Sequence, residues 1–375
     1  MKTRILTMFL VTLLVVVACG GDETAETTTM PTTIPRSLLT TTTTSSTTTV
    51  PEFGFVWPLT GLPAELDPAD APVLVAKIDN TSNSRPQLGL GQADMVIEVP
   101  VEGGIPRLLA FYQSTIPDEI GPIRSTREVD AKLIAPFGSL FASSGGQGFV
   151  LSDVRAVATD IGFDVLGSEA YYRDPDRPSL YDVILRTADV PELAVSASRA
   201  DSDSAYADKE DPETTETTGP PRADIGEWLV FGDPPTGEQA LTVTVSQSSL
   251  NQVEYRYSVA DGGYLRFHRD VAHETEQTGT LPAQQVVANN VVIIYVPVLS
   301  TGRTDSSGSP VPDYNVTGSG EALVFRDGVG VPGTWERGSE DQFFRFFALD
   351  GEEISLAPGT TWIELTPNGR SVEWQ

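Results

Sequence analysis

The chain contains a single cysteine, Cys19, so no disulfide can form within it and its folded part must be stable through its core alone. Cys19 ends an N-terminal segment in which Lys2 and Arg4 precede an apolar run over residues 5–17. The letters VVAC at its end are typical of a bacterial lipobox, in which the cysteine becomes the lipidated first residue. We therefore predict a lipoprotein signal peptide at 1–18 and a palmitate-type diacyl anchor on Cys19, since two acyl chains hold a protein stably at a membrane. An ordinary signal peptide with an incidental cysteine is the alternative.

Acidic side chains dominate the charge of the remaining chain. The sequence has 24 basic and 52 acidic side chains, and the predicted signal peptide takes two basic ones with it, which leaves 22 and a net charge of −30. So negative a surface repels nucleic-acid phosphates, and we exclude nucleic acid as a partner. The predicted partners are the membrane, reached through the lipid on Cys19, and an envelope polymer or a partner protein.

Two low-complexity segments divide the chain. Residues 19–51 are rich in threonine and poor in apolar side chains, which predicts a disordered tether that spans about 30 Å. Residues 201–221, DSDSAYADKEDPETTETTGPP, predict an acidic linker. The segments 52–200 and 222–375 each have the length of an ordinary domain.

Hydrophobic periodicity differs between the two predicted domains. In the first, apolar runs predict strands at 72–79, 94–102 and 106–114. Helical spacing there predicts helices at 125–135, around 150–160 and at about 191–198. The second domain consists mostly of short runs such as ALTVTVS and VEYRYSVA, separated by Gly, Asp or Pro. The predicted fold class is α+β, with a mixed α/β N-terminal domain followed by a β-rich C-terminal domain.

The stretch GPIRSTREVD places two arginines at the predicted start of a helix. Ser125 and Glu128 have the spacing of a capping box. Arg124 and Arg127 then lie beside unpaired backbone N–H groups, an arrangement that favours an anion. The anion is either a carboxylate of the protein itself or an external ligand, and we predict that one of the two arginines stays free to bind a ligand.

A glycine pair predicts a tight hairpin in DMVIEVPVEGGIPRLLAFYQ. A two-residue turn at Gly103-Gly104 and the alternation of side chains along strands place Glu98, Glu102 and Arg107 on one face. These three predict a Glu–Arg–Glu ion cluster that fixes the register of the two strands.

Catalytic patterns are weak in this sequence. Glu98 and Glu102 are about 13 Å apart along a strand, beyond the roughly 5 to 9.5 Å of glycosidase carboxylates, although one of them could pair with Asp79. His268 and His273 match no zinc-protease spacing and would point to different faces of a strand. The P-loop and GxSxG motifs are absent, so we predict no metal, no cofactor and no catalytic residue.

Several longer stretches resemble the YerB-like bacterial lipoprotein family. In the first domain they are WPLTGLP, AKIDNTSNSRPQLGLGQADMVIEVPVEGGIPRLLAFYQS and IGPIRSTREVDAKLIAPFGSLFASSGG. GSGEALVFRDG and LDGEEISLAPGTTWIELTP resemble the family's C-terminal domain. The resemblance covers nearly everything after the tether and implies an α/β domain and a β-rich domain, both of unknown function. The family's charged motif positions fall on Asp79, Asn80, Arg85, Gln87, Asp94, Glu98, Glu102, Arg107, Arg124, Ser125 and Arg127. All of these except Asp94 are our candidate ligand-binding residues.

Two departures from the family pattern bear on activity. Residues 143–147 are SSGGQ where family members often begin with a histidine, and YYRDPDRPSLYDV lacks a second family histidine. If family chemistry needs these histidines, this chain has lost it, which favours binding over catalysis.

The leading hypothesis is a protein anchored by lipid to the extracytoplasmic face of the cell membrane. An Arg/Glu/Asp cleft in its N-terminal domain would bind an anionic or polar ligand of the cell envelope, or a partner protein. One alternative is a hydrolase of envelope glycans or phosphodiesters, with Glu98, Glu102 or Asp79 as acid or base and arginines stabilising negative charge. The other alternative is a purely structural module.

Overall fold

A computed structural model describes residues 54–188, 190, 228–276, 283–305 and 308–375. The predictions for the signal peptide, Cys19, the tether, the linker at 201–221 and the helix at 191–198 lie outside these residues. Within the described residues, no helix is long and apolar enough to cross a membrane. The described residues belong to one compact unit.

Strands are the main secondary structure of the described residues. Up to residue 188 they are β1 (Phe55–Val56), β2 (Pro63–Ala64), β3 (Leu74–Asp79), β4 (Gln87–Leu88), β5 (Met95–Pro100), β6 (Pro106–Tyr112), β7 (Glu119–Ile120), β8 (Leu140–Ala142), β9 (Thr159–Asp160), β10 (Tyr171–Arg173) and β11 (Val183–Arg186). The predicted strands at 72–79, 94–102 and 106–114 correspond to β3, β5 and β6.

The strands from residue 228 onward are longer on average. They are β12 (Glu238–Gln239), β13 (Thr242–Ser246), β14 (Gln252–Ser258), β15 (Gly263–His268), β16 (Val271–Ala272), β17 (Glu274–Glu276), β18 (Gln284–Gln285), β19 (Val287–Ala288), β20 (Asn290–Val296), β21 (Val298–Thr304), β22 (Pro310–Tyr314), β23 (Gly318–Arg326), β24 (Val329–Arg337), β25 (Arg345–Ala348), β26 (Thr361–Pro367) and β27 (Ser371–Trp374).

The α-helices among the described residues are short. They are α1 (Glu128–Ile134), α2 (Gly148–Arg155) and α3 (Phe163–Leu166). A β-rich fold is therefore confirmed, whereas the mixed α/β character predicted for the first domain is not.

One eleven-stranded sheet runs through both predicted domains. Its order is β12-β24-β23-β20-β26-β5-β6-β3-β8-β9, with β25 beside β24. The junction is β26, which pairs in parallel with β20 on one side and with β5 on the other. Every residue of β5 is buried, as expected of a strand covered on both faces. Continuous main-chain hydrogen bonding thus joins the two segments.

Hydrophobic cores lie on both faces of this sheet. One core contains Ile97 and Val99 of β5 and is covered by α1 and the residues around Phe137. The other contains Val96 and is covered by a second sheet, of order β16-β15-β14-β13-β27 with β19 beside β15. Because side chains alternate along β5, Glu98 lies on the face of Val96, between the two sheets.

Candidate functional site

The hairpin between β5 and β6 differs from the predicted one. Val99 pairs with Arg107, one residue away from the predicted register. A longer loop replaces the two-residue turn, and in it Gly103 and Gly104 have φ values of 68° and 73°, a region that glycine enters freely. Cross-strand partners share a face, so Arg107 lies on the side of Val99, opposite to Glu98. The predicted Glu–Arg–Glu cluster is therefore wrong.

Arg107 instead contacts Asp79, its cross-strand partner at the end of β3. Nη2 of Arg107 lies 3.0 Å from Oδ2 of Asp79, and Nε of Arg124 lies 3.6 Å from the same oxygen. The Asp79 carboxylate is fully buried, and its Oδ1 accepts a hydrogen bond of 2.7 Å from the backbone of Thr81. Arg124 also donates to the carbonyl of Leu180 at 2.6 Å. Asp79 is thus held entirely by groups of the protein.

Helix α1 begins three residues later than predicted. Its N-cap is Arg127, whose backbone N–H donates to Oδ2 of Asp130 at 2.7 Å, so the predicted capping box of Ser125 and Glu128 is wrong. Asp130 takes this place because a buried lysine fixes its carboxylate under the first turn. The guanidinium of Arg127 donates from Nε to Glu102 at 2.8 Å. Glu102 therefore occupies the position beside Arg127 that an external anion would take.

A fully buried ion cluster joins the two sheets. Nη2 of Arg266, on β15, donates to Oε2 of Glu98 and lies 3.7 Å from Oε1 of Glu364 on β26. Glu98 and Glu364 are direct partners on adjacent parallel strands. The ring of Trp362 lies 4.5 Å from the guanidinium carbon. The side chains of Glu98, Arg266 and Glu364 have no exposed surface. Removing one of them would leave an ionisable group buried without its partner, which would destabilise the fold.

The two carboxylates of this cluster share one arginine. Burial, with the charge of Glu98 added, raises the pKa of Glu364 to about 8. The hydroxyl of Tyr255 donates to Oε1 of Glu364, and Nε2 of Gln247 donates to Oε2 at 2.8 Å. This shift favours the protonated form of Glu364, because one arginine cannot balance two buried carboxylates.

His268 and His273 lie side by side against this cluster, with ring centroids 4.6 Å apart. A turn at Arg269, whose φ is 49°, reverses the chain between them. The prediction that they point to different faces of one strand is therefore wrong. Nη1 of Arg266 contacts both rings, and burial, followed by the charge of Arg266, lowers the pKa of both histidines.

Asn80 and Gln87 link the cluster to the N-terminal domain. Nδ2 of Asn80 donates to Oε1 of Glu98 at 3.2 Å, and Nε2 of Gln87 donates to Oδ1 of Asn80 at 3.0 Å. Nε2 of His273 lies 2.9 Å from Oε1 of Gln87. The candidate residues Asn80, Gln87 and Glu98 therefore share one buried network with Arg266 and His273 of the second domain.

A cleft of about 610 Å³ borders this network. Its charged and polar lining includes Asn80, Arg85, His268, Arg269 and Glu274. Arg85 donates from Nη2 to the carbonyl of Asn80 at 2.9 Å, whereas its buried Nε has no hydrogen-bond partner. Burial, with the charge of Arg266 added, lowers the pKa of Arg85 to about 10, so this arginine is still cationic at neutral pH. The lining of the cleft is positively charged, because it contains Arg85 and Arg269 but only one carboxylate, Glu274.

The other candidates lie elsewhere. Glu102, Ser125 and Arg127 line a separate pocket of about 260 Å³, in which Glu128 and Asp305 add further carboxylates. Arg107 and Arg124, held around Asp79, line neither cavity. The structure therefore divides the ten candidates among a buried network, a cationic cleft, a smaller acidic pocket and the ion pairs of Asp79 with Arg107 and Arg124.

Sequence reasoning missed Arg266 and Glu364. The signal for Arg266 lies in GYLRFH, where Tyr264, Arg266 and His268 alternate inward and are buried. A buried arginine is stable only when a carboxylate pairs with it. An arginine on the inward face of a strand therefore indicates that another strand carries a buried Asp or Glu. Among the residues that the structure describes, no group of three or more His, Cys, Asp or Glu side chains is placed to hold a metal ion.

Comparisons with known proteins establish the family. The model described as "Protein of unknown function (DUF3048) N-terminal domain" matches residues 59–200, and its C-terminal counterpart matches 241–363. YerB of Bacillus subtilis (strain 168), a candidate lipoprotein by its name, is 28% identical over 324 residues, which are 83% of this chain and 86% of YerB. The chain belongs to the YerB-like family.

The family resemblance extends to a solved structure. A crystal structure of the YerB protein from Bacillus subtilis matches with a TM-score of 0.65 at 25% identity, over 85% of this chain and 99% of that one. The resemblance inferred from the charged motif positions is therefore confirmed. Both domains of the YerB-like family are of unknown function, so a function has to be argued from the site.

Proposed function

We propose that this YerB-like protein is anchored by lipid outside the cytoplasm and binds an anionic group of an envelope polymer or partner protein in the cleft beside Arg85. One observation carries this proposal: the guanidinium of Arg85 is partly desolvated in the cleft wall with no carboxylate of its own. The two carboxylates that attract it, Glu98 and Asp79, are already paired with Arg266 and Arg107. A bound anion would supply the partner that Arg85 lacks.

The positions of the carboxylates favour binding over hydrolysis. A catalytic acid or base must reach the substrate and exchange a proton with it. Glu98, Asp79 and Glu364 are fully buried, and Glu102 is engaged by Arg127. These side chains therefore support a stable scaffold around the cleft better than a reaction within it.

Replacing Arg85 with glutamine should weaken the binding of small anions at least tenfold and change the melting temperature little. The reason is that a hydrogen bond to a charged group contributes about 1.5–3 kcal/mol, and Gln keeps a polar side chain without the charge. Titration calorimetry with glycerol phosphate and with glucuronate, at low salt, measures the effect and separates phosphate from carboxylate ligands.

The matched control for this change is Arg186→Gln. Arg186 is an exposed arginine on β11 that donates to the carbonyl of Ser168 and lies outside the cleft lining. Equal affinity of Arg85→Gln and the wild type would contradict the proposed site. A large fall in melting temperature without any anion binding by the wild type would support the structural module instead.

Replacing Cys19 with alanine should abolish acylation. The lipobox and the name of the relative YerB support a lipid on this cysteine. Cells fed labelled palmitate should mark the wild type and the tether variant Ser45→Ala, but not Cys19→Ala, which should remain unprocessed or leave the membrane fraction. Labelled Cys19→Ala protein of the mature size would rule out this anchor.

A further inference from the structure

The hydrogen bonds of Arg266 fix the protonation of both histidines. A guanidinium only donates hydrogen bonds, and its Nη1 carries two hydrogens. Nη1 of Arg266 lies 2.8 Å from Nε2 of His268 and 2.6 Å from Nδ1 of His273. Both ring nitrogens therefore accept, and each ring carries its single proton on the other nitrogen. A protonated imidazolium would set two N–H groups against each other at these distances.

The two remaining N–H groups have different surroundings. Nε2–H of His273 donates to Oε1 of Gln87 at 2.9 Å inside the fully buried network. Nδ1–H of His268 has no hydrogen-bond partner among the residues that the structure describes. His268 lines the cleft together with Arg85, and 7% of the residue's surface is exposed. Because Nε2 is bound to Arg266, Nδ1–H is the polar atom that the ring has left for a molecule in the cleft.

We infer that His268 is a specificity-determining residue, whose Nδ1–H acts with Arg85 to select an oxyanion with acceptor oxygens, such as a phosphodiester or a carboxylate. This inference rests on the proposed function of the cleft. A ligand group that must donate a hydrogen bond at this position, such as an amine, finds no acceptor on the ring.

The ring is held in place before any ligand arrives. Arg266 holds its Nε2, the ring of His273 packs against it, and the backbone of His268 pairs with Val253 on β14. An exposed histidine can rotate and change tautomer, whereas this ring can do neither without breaking its bond to Arg266. A donor already in its bound orientation loses little conformational freedom on binding.

The protonation of the two histidines can be measured directly, because the chain contains only these two. In ¹⁵N spectra of protein labelled at histidine, two-bond couplings identify the tautomer of each ring. At pH 7 we expect a proton on Nδ1 of one ring and on Nε2 of the other, and glycerol phosphate should shift only the Nδ1–H signal. Two Nε2–H rings, a protonated ring, or a ligand shift confined to the Nε2–H signal would overturn the inference.

Two variants separate the ligand contact from the structural role. His268→Gln keeps a polar group near the Nε2 position for Arg266 but loses the donor at Nδ1, whereas His268→Asn keeps a donor at Nδ1 and loses the acceptor. We expect His268→Gln to bind glycerol phosphate about tenfold more weakly, and His268→Asn to lose less affinity but more of its melting temperature. Wild-type affinity in His268→Gln would overturn the role of His268 and leave the Arg85 site standing. Failure of the wild type to bind glycerol phosphate or glucuronate would overturn both.

Discussion

Replacing Arg266 with methionine is expected to lower the free energy of unfolding by about 3–5 kcal/mol, because it leaves a buried carboxylate without its partner. Glu98 has no exposed surface and receives a hydrogen bond from Arg266. The same change removes the donor to Tyr255 at 3.0 Å and the contacts with both histidines. Urea denaturation followed by tryptophan fluorescence measures the loss, since Trp362 packs on the guanidinium.

Arg256→Met is the matched control for this prediction. Arg256 lies on the neighbouring strand β14, has 41% of its side chain exposed, and pairs with Glu254 and Asp270. Because ion pairs at the surface contribute little, Arg256→Met should lower the free energy of unfolding by no more than about 1 kcal/mol. Adding Glu98→Gln to Arg266→Met should recover part of the stability, because the unpaired charge is removed as well. A loss in Arg266→Met as small as in the control would show that the cluster is not needed for folding.

Replacing Asp130 with asparagine is expected to lower the free energy of unfolding by a similar amount, about 3–5 kcal/mol. In this case the group left buried without its partner is a cation, Lys77. Nζ of Lys77 lies 2.6 Å from Oδ1 of Asp130, and both side chains are fully buried. Burial lowers the pKa of Lys77, and Asp130 opposes this change. Without the carboxylate, the pKa of Lys77 should fall further.

The stability of Asp130→Asn should therefore depend on pH in a defined direction. Between the lowered pKa of Lys77 in the folded state and its usual value of 10.5, the unfolded chain binds more protons than the folded one, so stability rises with pH. Chemical denaturation at several pH values tests this. The control Asp313→Asn removes a partly exposed partner of Lys132 and should cost about 0–1 kcal/mol at every pH. A pH-independent loss in Asp130→Asn would contradict this, because it would mean that Lys77 keeps its proton in the folded state.

The strands around the site could be predicted from sequence, but their register could not. β3, β5 and β6 lie within apolar runs, and their ends fall within two residues of the predicted limits. The glycine pair predicted a two-residue turn, yet both glycines serve a longer loop closed by a hydrogen bond from Val101 to Ile105. A shift of one residue moves every side chain to the opposite face, so Arg107 found a different partner.

Only part of the candidate site could be predicted from sequence, for a similar reason. The motif positions marked Asn80, Gln87 and Glu98, which do share one network. Their central cation, Arg266, lies 168 residues from Glu98, and no local spacing connects the two. Only the packing of the second sheet on the first brings them together.

The position of β26 between β5 and β20 also determines when during synthesis the central sheet can form. Met95 on β5 is paired with Thr361 on β26, so most of the chain must exist before this edge of β5 is covered. Contacts between such distant segments form slowly, and until then β5 presents a bare apolar edge and an uncompensated Glu98. A nascent chain that lacks β26 is therefore a target for aggregation and proteolysis. The same delay suits the location outside the cytoplasm that we propose, because translocation of an extended chain can finish before folding begins.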